Sequence, residues 1–210
     1  SFNSNDTPMS SEALCDAFSN YDVVFPTVTD QIDNNVLAAN PMRARLIGNF
    51  GVGFNNIDIN AAKERNLVVT NTPGVLTDAT ADLAMTLLLS VARRAGEGER
   101  HLRSGDWSGW RPTHMMGTEV TGKTLGLIGF GRIGQATAYR AHMGFNMRII
   151  FYNPSICPQE IRESLKAEQL SSIEEVLERS DFVSLHCPAR PETYHLINTD
   201  RLKAMKSSAF

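Results

Sequence analysis

The sequence predicts an α/β protein with parallel sheets, arranged as two domains at residues 1–97 and 98–210. Short apolar stretches alternate with helical stretches along the whole chain, which is typical of successive β-α units. A glycine motif separates one of the clearest strands from the helix after it. A change in composition between Gly96 and Gly122 marks the crossing from the first domain to the second.

The first domain is predicted as a small layer of helices around a parallel sheet. Ser10 is a suitable N-cap for a helix that extends to Phe18. Further helices are expected at 34–39 and 59–65, and strands at 22–25, 46–48 and 67–70.

The longest predicted helix covers residues 79–94. Thr77 or Asp78 can cap its start, and Gly96 is expected to stop it. Apolar side chains cover nearly its whole circumference, which predicts a helix buried between domains or subunits with its leucines and methionines in a core.

The crossing segment, residues 96–122, is rich in Gly, Trp, Met and His. Trp107 and Trp110 lie in an irregular part of it, and tryptophans in such a segment seldom stay solvated, which favours packing on a partner surface. We expect a homodimer; the alternative is an arm folded back on its own chain.

The second domain begins with the most informative motif in the chain. An apolar strand at 125–128 is followed by Gly129, Gly131 and Gly134 at the spacing G-x-G-x-x-G, and then by a helix at 133–143. The first glycine permits the tight turn, the second leaves room for a pyrophosphate, and the third lets helix and strand approach. A second strand at 147–152 completes a βαβ unit, so the motif predicts a Rossmann-like dinucleotide site rather than a purely structural turn.

The β-α alternation continues to the end of the chain. A helix is predicted at 171–180, a strand at 182–185 and a short helix at 200–204. The turn His186-Cys187-Pro188 leaves the carboxyl end of that strand, where open α/β sheets bind ligands, so it should border the cofactor crevice.

Composition argues against several classes of partner. The chain has 210 residues, a net charge of −3 and a pI near 5.9, so it presents no basic field for nucleic acid. Its longest apolar segment, 79–92, contains Asp82 and is too short to span a membrane, and the N-terminus does not resemble a signal peptide. Three cysteines without a C-x-x-C pair indicate reduced thiols, a cytoplasmic location and no metal site.

Four stretches in unbroken order, 49–58, 70–84, 121–134 and 180–188, closely resemble the D-isomer-specific 2-hydroxyacid dehydrogenases. The chain looks most like the glyoxylate, hydroxypyruvate and 2-ketogluconate reductase branch. The resemblance implies a flavodoxin-like substrate domain followed by an NAD(P)-binding Rossmann domain that is incomplete at its C-terminal side. It implies NAD(P)H-dependent reduction of a small 2-oxo acid to a D-2-hydroxy acid. The alternative is an NAD(H)-sensing, non-catalytic corepressor on the same scaffold.

The resemblance also implies substrate-binding positions. Val52 and Gly53 match a turn that presents backbone N–H groups to the substrate carboxylate. His114 occupies an arm position from which related reductases reach the neighbouring subunit's active site; an interface role without substrate contact is the alternative.

Cofactor-binding positions follow in the same way. Thr80, Arg132 and Ile133 match residues that contact the cofactor. Cys187 and Pro188 match the wall beside the adenosine ribose; for Cys187 the alternative is a small buried thiol without chemistry.

Two departures from the family pattern stand out. Asn153 occupies the end of the second strand, where NAD enzymes place an Asp or Glu, so the sequence slightly favours NADP over NAD. The family's catalytic arginine, glutamate and histidine follow a strand expected to begin near Phe210, so we assign no catalytic residue within this chain and expect that group beyond it.

Overall fold

The computed structural model describes residues 3–5 and 7–210, and it divides the chain into two compact units, Ser1–Leu76 and Thr77–Phe210. The division falls some twenty residues before the boundary expected from composition at 97/98. The physical reason is the long helix that starts at Thr77, because it packs within the second unit rather than the first. The boundary expected from composition lies where the sequence becomes irregular, whereas the boundary between the compact units lies before this helix because of where the helix packs.

The first unit is a three-stranded parallel sheet with helices between the strands, as predicted. The sheet order is β1-β2-β3. The elements are α1 (Ser11–Asn20), β1 (Val23–Val24), α2 (Asn34–Leu37), β2 (Leu46–Gly48), α3 (Ile59–Glu64) and β3 (Val68–Thr70).

Each helix of the first unit is capped by a short polar side chain. The predicted cap is confirmed, because Ser10 Oγ accepts the N–H of Ala13 at 3.2 Å. Asp33 and Asp58 cap the other two helices in the same way, which satisfies N–H groups that have no partner inside a helix.

The second unit contains a four-stranded parallel sheet of order β6-β5-β4-β7 with helices on both faces. Its elements are α4 (Thr77–Ala92), α5 (Ala95–Arg103), β4 (Thr124–Ile128), α6 (Arg132–Phe145), β5 (Arg148–Tyr152), α7 (Gln159–Ser164), β6 (Ala167–Gln169), α8 (Ile173–Arg179), β7 (Phe182–Leu185) and α9 (Thr199–Ala204), with one turn of 3₁₀ helix at Pro191–Thr193. All five residues of β4 are buried, so the glycine motif leaves the most enclosed strand.

The start of the crossing segment differs from its prediction. Gly96 does not stop a helix, because it lies inside α5. The break comes two residues earlier at Arg94, whose φ of 55° is left-handed and ends α4 before α5 begins. Thr77 likewise lies inside α4 rather than capping it.

The prediction that the apolar side chains of α4 are all core was wrong for one face. Leu83, Leu87 and Val91 are 57%, 62% and 49% exposed and recur every four residues, so they form one stripe. Met85 and Leu88 of the same helix are buried in the second unit's core.

Asp181 joins β7 to β4 at the amino ends of the strands. Its carboxylate accepts the Thr124 N–H at 2.9 Å and pairs with Lys206 Nζ at 2.8 Å. Burial alone raises the pKa of this carboxyl, but the bonds to Lys206 and Thr124 outweigh it, and the pKa lies below its usual 3.8.

Replacing Asp181 with Asn is therefore expected to destabilise the protein by about 1–2 kcal/mol at pH 7. The pKa of Asp181 is lower in the folded protein than in the unfolded one. The stability that its carboxylate contributes is therefore fully present above the unfolded-state pKa and is lost as the pH falls through the folded-state pKa. Urea unfolding of both proteins between pH 7 and pH 2.5 measures the difference. If the difference in unfolding free energy between the two proteins stays constant over that pH range, the charge of Asp181 is not what stabilises the fold.

Among the described residues, no helix is long and apolar enough to cross a membrane, and no group of three or more His, Cys, Asp or Glu side chains is placed to hold a metal ion.

Candidate functional site

The glycine turn after β4 is held against the end of β7. Gly129 has a φ of +96°, a conformation that residues with a Cβ rarely adopt. A Cβ added there would lie 2.7 Å from the backbone of His186 and Cys187. The turn thus requires glycine at this position both for its conformation and for its contact with β7.

The other two glycines of the motif serve different purposes. A Cβ added at Gly134 would lie 2.6 Å from the carbonyl oxygen of Gly129, so glycine is what lets α6 approach the turn. A Cβ added at Gly131 would meet no atom of the described residues within 4 Å. Protein packing does not explain that glycine, whereas a ligand seated over the turn does.

The start of α6 is open to a ligand. Gly131 is its N-cap and supplies no side-chain hydrogen bond. The first N–H groups of a helix have no partner within it, so those of Arg132 and Ile133 are available to an anion. The Arg132 side chain is exposed and makes no hydrogen bond or ion pair with any residue that the structure describes.

Asn153 follows β5 and lies beside this turn. Its Oδ1 accepts the N–H of Phe130 at 3.2 Å, and its Nδ2 donates to the carbonyl oxygen and hydroxyl of Ser155 at 3.1 and 2.9 Å. The predicted ribose-binding residue therefore also holds together the two loops that follow β4 and β5.

The turn after β7 forms the wall next to Gly129. His186 Nε2 lies 2.9 Å from the hydroxyl of Ser184, and burial lowers the pKa of His186, so its imidazole is neutral at pH 7. Cys187 is half-buried and Pro188 is exposed. The backbone nitrogen of Cys187 lies against the turn at Gly129.

Thr80 lies on the exposed side of the first turns of α4. This helix is joined to α6 by Arg140, which donates to Asp82 at 2.6 Å and Asp78 at 3.0 Å. The start of α4 is thereby fixed on the helix that follows the glycine turn.

The predicted substrate turn belongs to the first unit. The carbonyl oxygens of Gly51, Val52 and Gly53 accept hydrogen bonds from Thr72 N–H, Asn71 Nδ2 and Asn49 Nδ2, at 3.0, 2.9 and 2.7 Å. Among the described residues, the N–H groups of Val52 and Gly53 find no acceptor. The turn is thus fixed with its donors unused, which suits a carboxylate ligand.

His114 lines a cavity of about 390 Å³ in the crossing segment, together with His101, Trp107 and Trp110. The two imidazole rings lie 4.9 Å apart. Burial and the positive charge of Arg111 lower the pKa of His114, so this imidazole is also neutral at pH 7.

The second unit therefore brings together the three motif glycines, Asn153 and the backbone of Cys187. Val52 and Gly53 lie in the other unit. The sequence did not predict that the side chains of Asn49, Asn71 and Gln169 would hold loop backbone by hydrogen bonds. Asn49 nevertheless opens one of the stretches that carry the family resemblance.

Comparisons with known proteins agree with this geometry. Residues 85–210 match the family model described as D-isomer specific 2-hydroxyacid dehydrogenase, NAD binding domain. A glyoxylate reductase from Thermococcus litoralis is 49% identical over 192 residues, which is 90% of this chain and 57% of that protein.

Solved structures show the same relationship. The TT0316 protein from Thermus thermophilus matches with a TM-score of 0.88 and 42% identity, over 97% of this chain and 62% of that one. A D-lactate dehydrogenase from Aquifex aeolicus, complexed with NAD and lactic acid, matches with a TM-score of 0.82 and 26% identity, over 98% of this chain and 58% of that one.

The chain thus spans about three-fifths of the length of these relatives. More than half of it matches the family model, and its glycine turn, helix start and parallel sheet have the form that a dinucleotide site needs. The chain belongs to the D-isomer specific 2-hydroxyacid dehydrogenase family.

Proposed function

We propose that the protein containing this chain is an NAD(P)H-dependent reductase that converts a small 2-oxo acid, such as glyoxylate or hydroxypyruvate, into its D-2-hydroxy acid. The observation that carries the proposal is the open space at Gly131, which no packing requirement explains. The glyoxylate reductase relative supports the substrate class.

The cofactor supplies the hydride in this reaction. The residues of this chain bind the cofactor and the substrate and orient them. The N–H groups of Arg132 and Ile133 donate to the pyrophosphate at the start of α6, and the backbone of Cys187 closes one side of the turn. In the first unit, the N–H groups of Val52 and Gly53 bind the substrate carboxylate, because the fixed carbonyls around them aim those donors outward.

We propose NADPH as the slightly favoured cofactor. Asn153 carries no charge that repels a 2′-phosphate, and the exposed guanidinium of Arg132 lies on the first residue of α6, next to the turn that Asn153 contacts.

For His114 the two candidate roles are substrate binding, as the resemblance implies, and packing at an interface. Substitution of His114 by alanine with measurement of KM separates the two.

The direct test is an initial-rate assay of the full-length protein. NADPH and NADH are each supplied with glyoxylate, hydroxypyruvate and 2-ketogluconate. We expect turnover with at least one of the three acids. Cofactor binding without turnover on any of them rejects the reductase proposal in favour of a sensor. The predicted cytoplasmic location stays a prediction.

We also propose that the protein is a homodimer. The stripe of Leu83, Leu87 and Val91 and the 83% exposed Trp110 give the second unit an apolar surface that a second copy of the chain can cover.

Replacing Leu87 with Glu is expected to weaken self-association by about tenfold or more, because it places a charge in an apolar contact. Sedimentation velocity over a concentration series measures this. Leu202→Glu is the matched control, since Leu202 is a similarly exposed leucine, 57% against 62%, on α9. A dimer that survives Leu87→Glu, or one that both variants disrupt equally, contradicts the proposed surface.

A further inference from the structure

Gln169 is the last residue of the edge strand β6, and its side chain binds the neighbouring loop at three points. Its Nε2 donates to the carbonyl oxygens of Ser155 and Asn153 at 2.9 and 3.3 Å, and its Oε1 accepts the N–H of Cys157 at 2.9 Å. One carboxamide thus fixes the backbone of residues 153–157, named here the ribose loop because it follows β5, where this fold binds the adenosine ribose.

The bonds of Gln169 continue into the glycine turn. Asn153, whose own carbonyl Gln169 holds, accepts the Phe130 N–H through Oδ1 and donates to Ser155 through Nδ2. Hydrogen bonds therefore link the ends of β6, β5 and β4 in one series. Gln169 is the outermost member, and its side-chain hydrogen bonds go to residues 153–157 rather than to the turn or α6.

The ribose loop has unused donors and contains no carboxylate. The N–H groups of Ser155 and Ile156 and the hydroxyl hydrogen of Ser155 have no acceptor among the described residues. The Oδ1 of Asn153 accepts the Phe130 N–H, and its Nδ2 donates to both the carbonyl oxygen and the hydroxyl of Ser155. A 2′-phosphate offers only acceptors and suits these unused donors, whereas the carboxylate with which NAD sites of this fold bind the ribose hydroxyls is absent from the loop.

The ribose loop keeps this arrangement only while its backbone is fixed. Pro154 gives it no donor, and Ser155 and Ile156 are exposed, with Ile156 87% exposed, so little packing restrains its outer part. The three bonds from Gln169 supply the missing restraint, and a binding loop held in its bound shape loses less entropy when the ligand arrives.

We propose that Gln169 is a positioning residue that gives the protein its preference for a cofactor carrying a 2′-phosphate. It acts through the ribose loop and does not itself touch the cofactor. The inference rests on the proposed cofactor binding. It adds a residue from the edge strand, outside the glycine motif, to the determinants of specificity.

The test compares Gln169→Met with Gln159→Met in the full-length protein. Methionine keeps the length of the side chain and removes all three bonds without adding charge. Gln159 is an exposed glutamine of α7 whose carboxamide, among the described residues, binds Glu163 alone, so it controls for the chemical change itself. NADPH and NADH are titrated by fluorescence, and 2′,5′-ADP and 5′-AMP by calorimetry.

We expect Gln169→Met to raise the Kd of NADPH by about tenfold and that of NADH by less than about threefold. The Kd of 2′,5′-ADP should follow that of NADPH, and Gln159→Met should match the unmodified protein. If Gln169→Met does not fold, Gln169→Asn, which is one methylene shorter, is held to the same expectation.

Equal weakening of NADPH and NADH overturns the inference, because a loop that is merely structural affects both cofactors alike. No change in either Kd overturns it too. If the unmodified protein binds neither NADPH nor NADH, the proposed function itself is wrong. If the unmodified protein binds them and the Gln169 variant keeps the same 2′-phosphate preference, only the inference about Gln169 is wrong.

Discussion

Replacing Gly131 with aspartate is expected to remove NADPH binding while leaving the fold intact. The Kd should rise by about 100-fold or more, because a carboxylate then occupies the opening where a dianionic pyrophosphate meets the helix N-terminus. Stability should change by less than about 0.5 kcal/mol, since a Cβ at this position meets nothing within 4 Å and the backbone there is extended, with φ −77°. Fluorescence titration measures the first quantity and thermal unfolding the second.

Gly144→Asp is the matched control for this substitution. Gly144 lies near the other end of α6, and a Cβ added there also meets no atom within 4 Å. We expect cofactor binding to be unchanged in that variant. If Gly131→Asp still binds NADPH as tightly as the unmodified protein, the opening at Gly131 is not the pyrophosphate site and the reductase proposal loses its main support.

Replacing Gly134 with valine, in contrast, should act first on the stability of the fold. The added Cβ would lie 2.6 Å from the carbonyl oxygen of Gly129. That oxygen and the Cα that carries the Cβ are backbone atoms, so neither can move aside without shifting α6 away from β4. We expect a loss of about 3 kcal/mol in the free energy of unfolding, which is large against the total stability of a domain. Cofactor binding should fall as a consequence of that loss.

Urea unfolding of Gly134→Val measures this effect, and Gly144→Val again serves as the control. Valine forms helices better than glycine by a few tenths of a kcal/mol, so the control should be neutral or slightly stabilised. A Gly134→Val protein as stable as its parent contradicts the close approach of helix and turn. Together the two predictions separate a glycine that the ligand requires from one that packing requires.

The elements best predicted from the sequence are those in which apolar runs and cap residues agree. Strand β4, the helix after it and the Ser10 cap were all recognisable, because each depends on residues close together in the chain. The structural roles predicted for Gly129 and Gly134 match the turn and the close approach that the structure has, since both follow from the absence of a side chain.

The parts that escaped prediction depend on contacts distant in sequence. Strand β6 has only three residues, and Glu168 is exposed in it, so no apolar run marks it. Without β6 there was no strand end at which to place Gln169. The exposed stripe of α4 was misjudged for a related reason, because composition indicates an apolar helix but not which face meets the core.

Asn153 shows the limit most clearly. Its position at the end of β5 could be predicted from the apolar run before it, and its part in cofactor choice stays a prediction. Its bond to Phe130 spans 23 residues, and no local pattern indicates it.

That bond restricts how cofactor choice can change by mutation. Whatever side chain occupies position 153 must still accept the N–H of Phe130, or the glycine turn loses an anchor on the β5 side. Aspartate satisfies this requirement and arginine does not. On the proposed cofactor assignment, an Asn-to-Asp replacement at position 153 keeps this anchor and favours NADH, whereas a cation that favours NADPH has to arise at a neighbouring position.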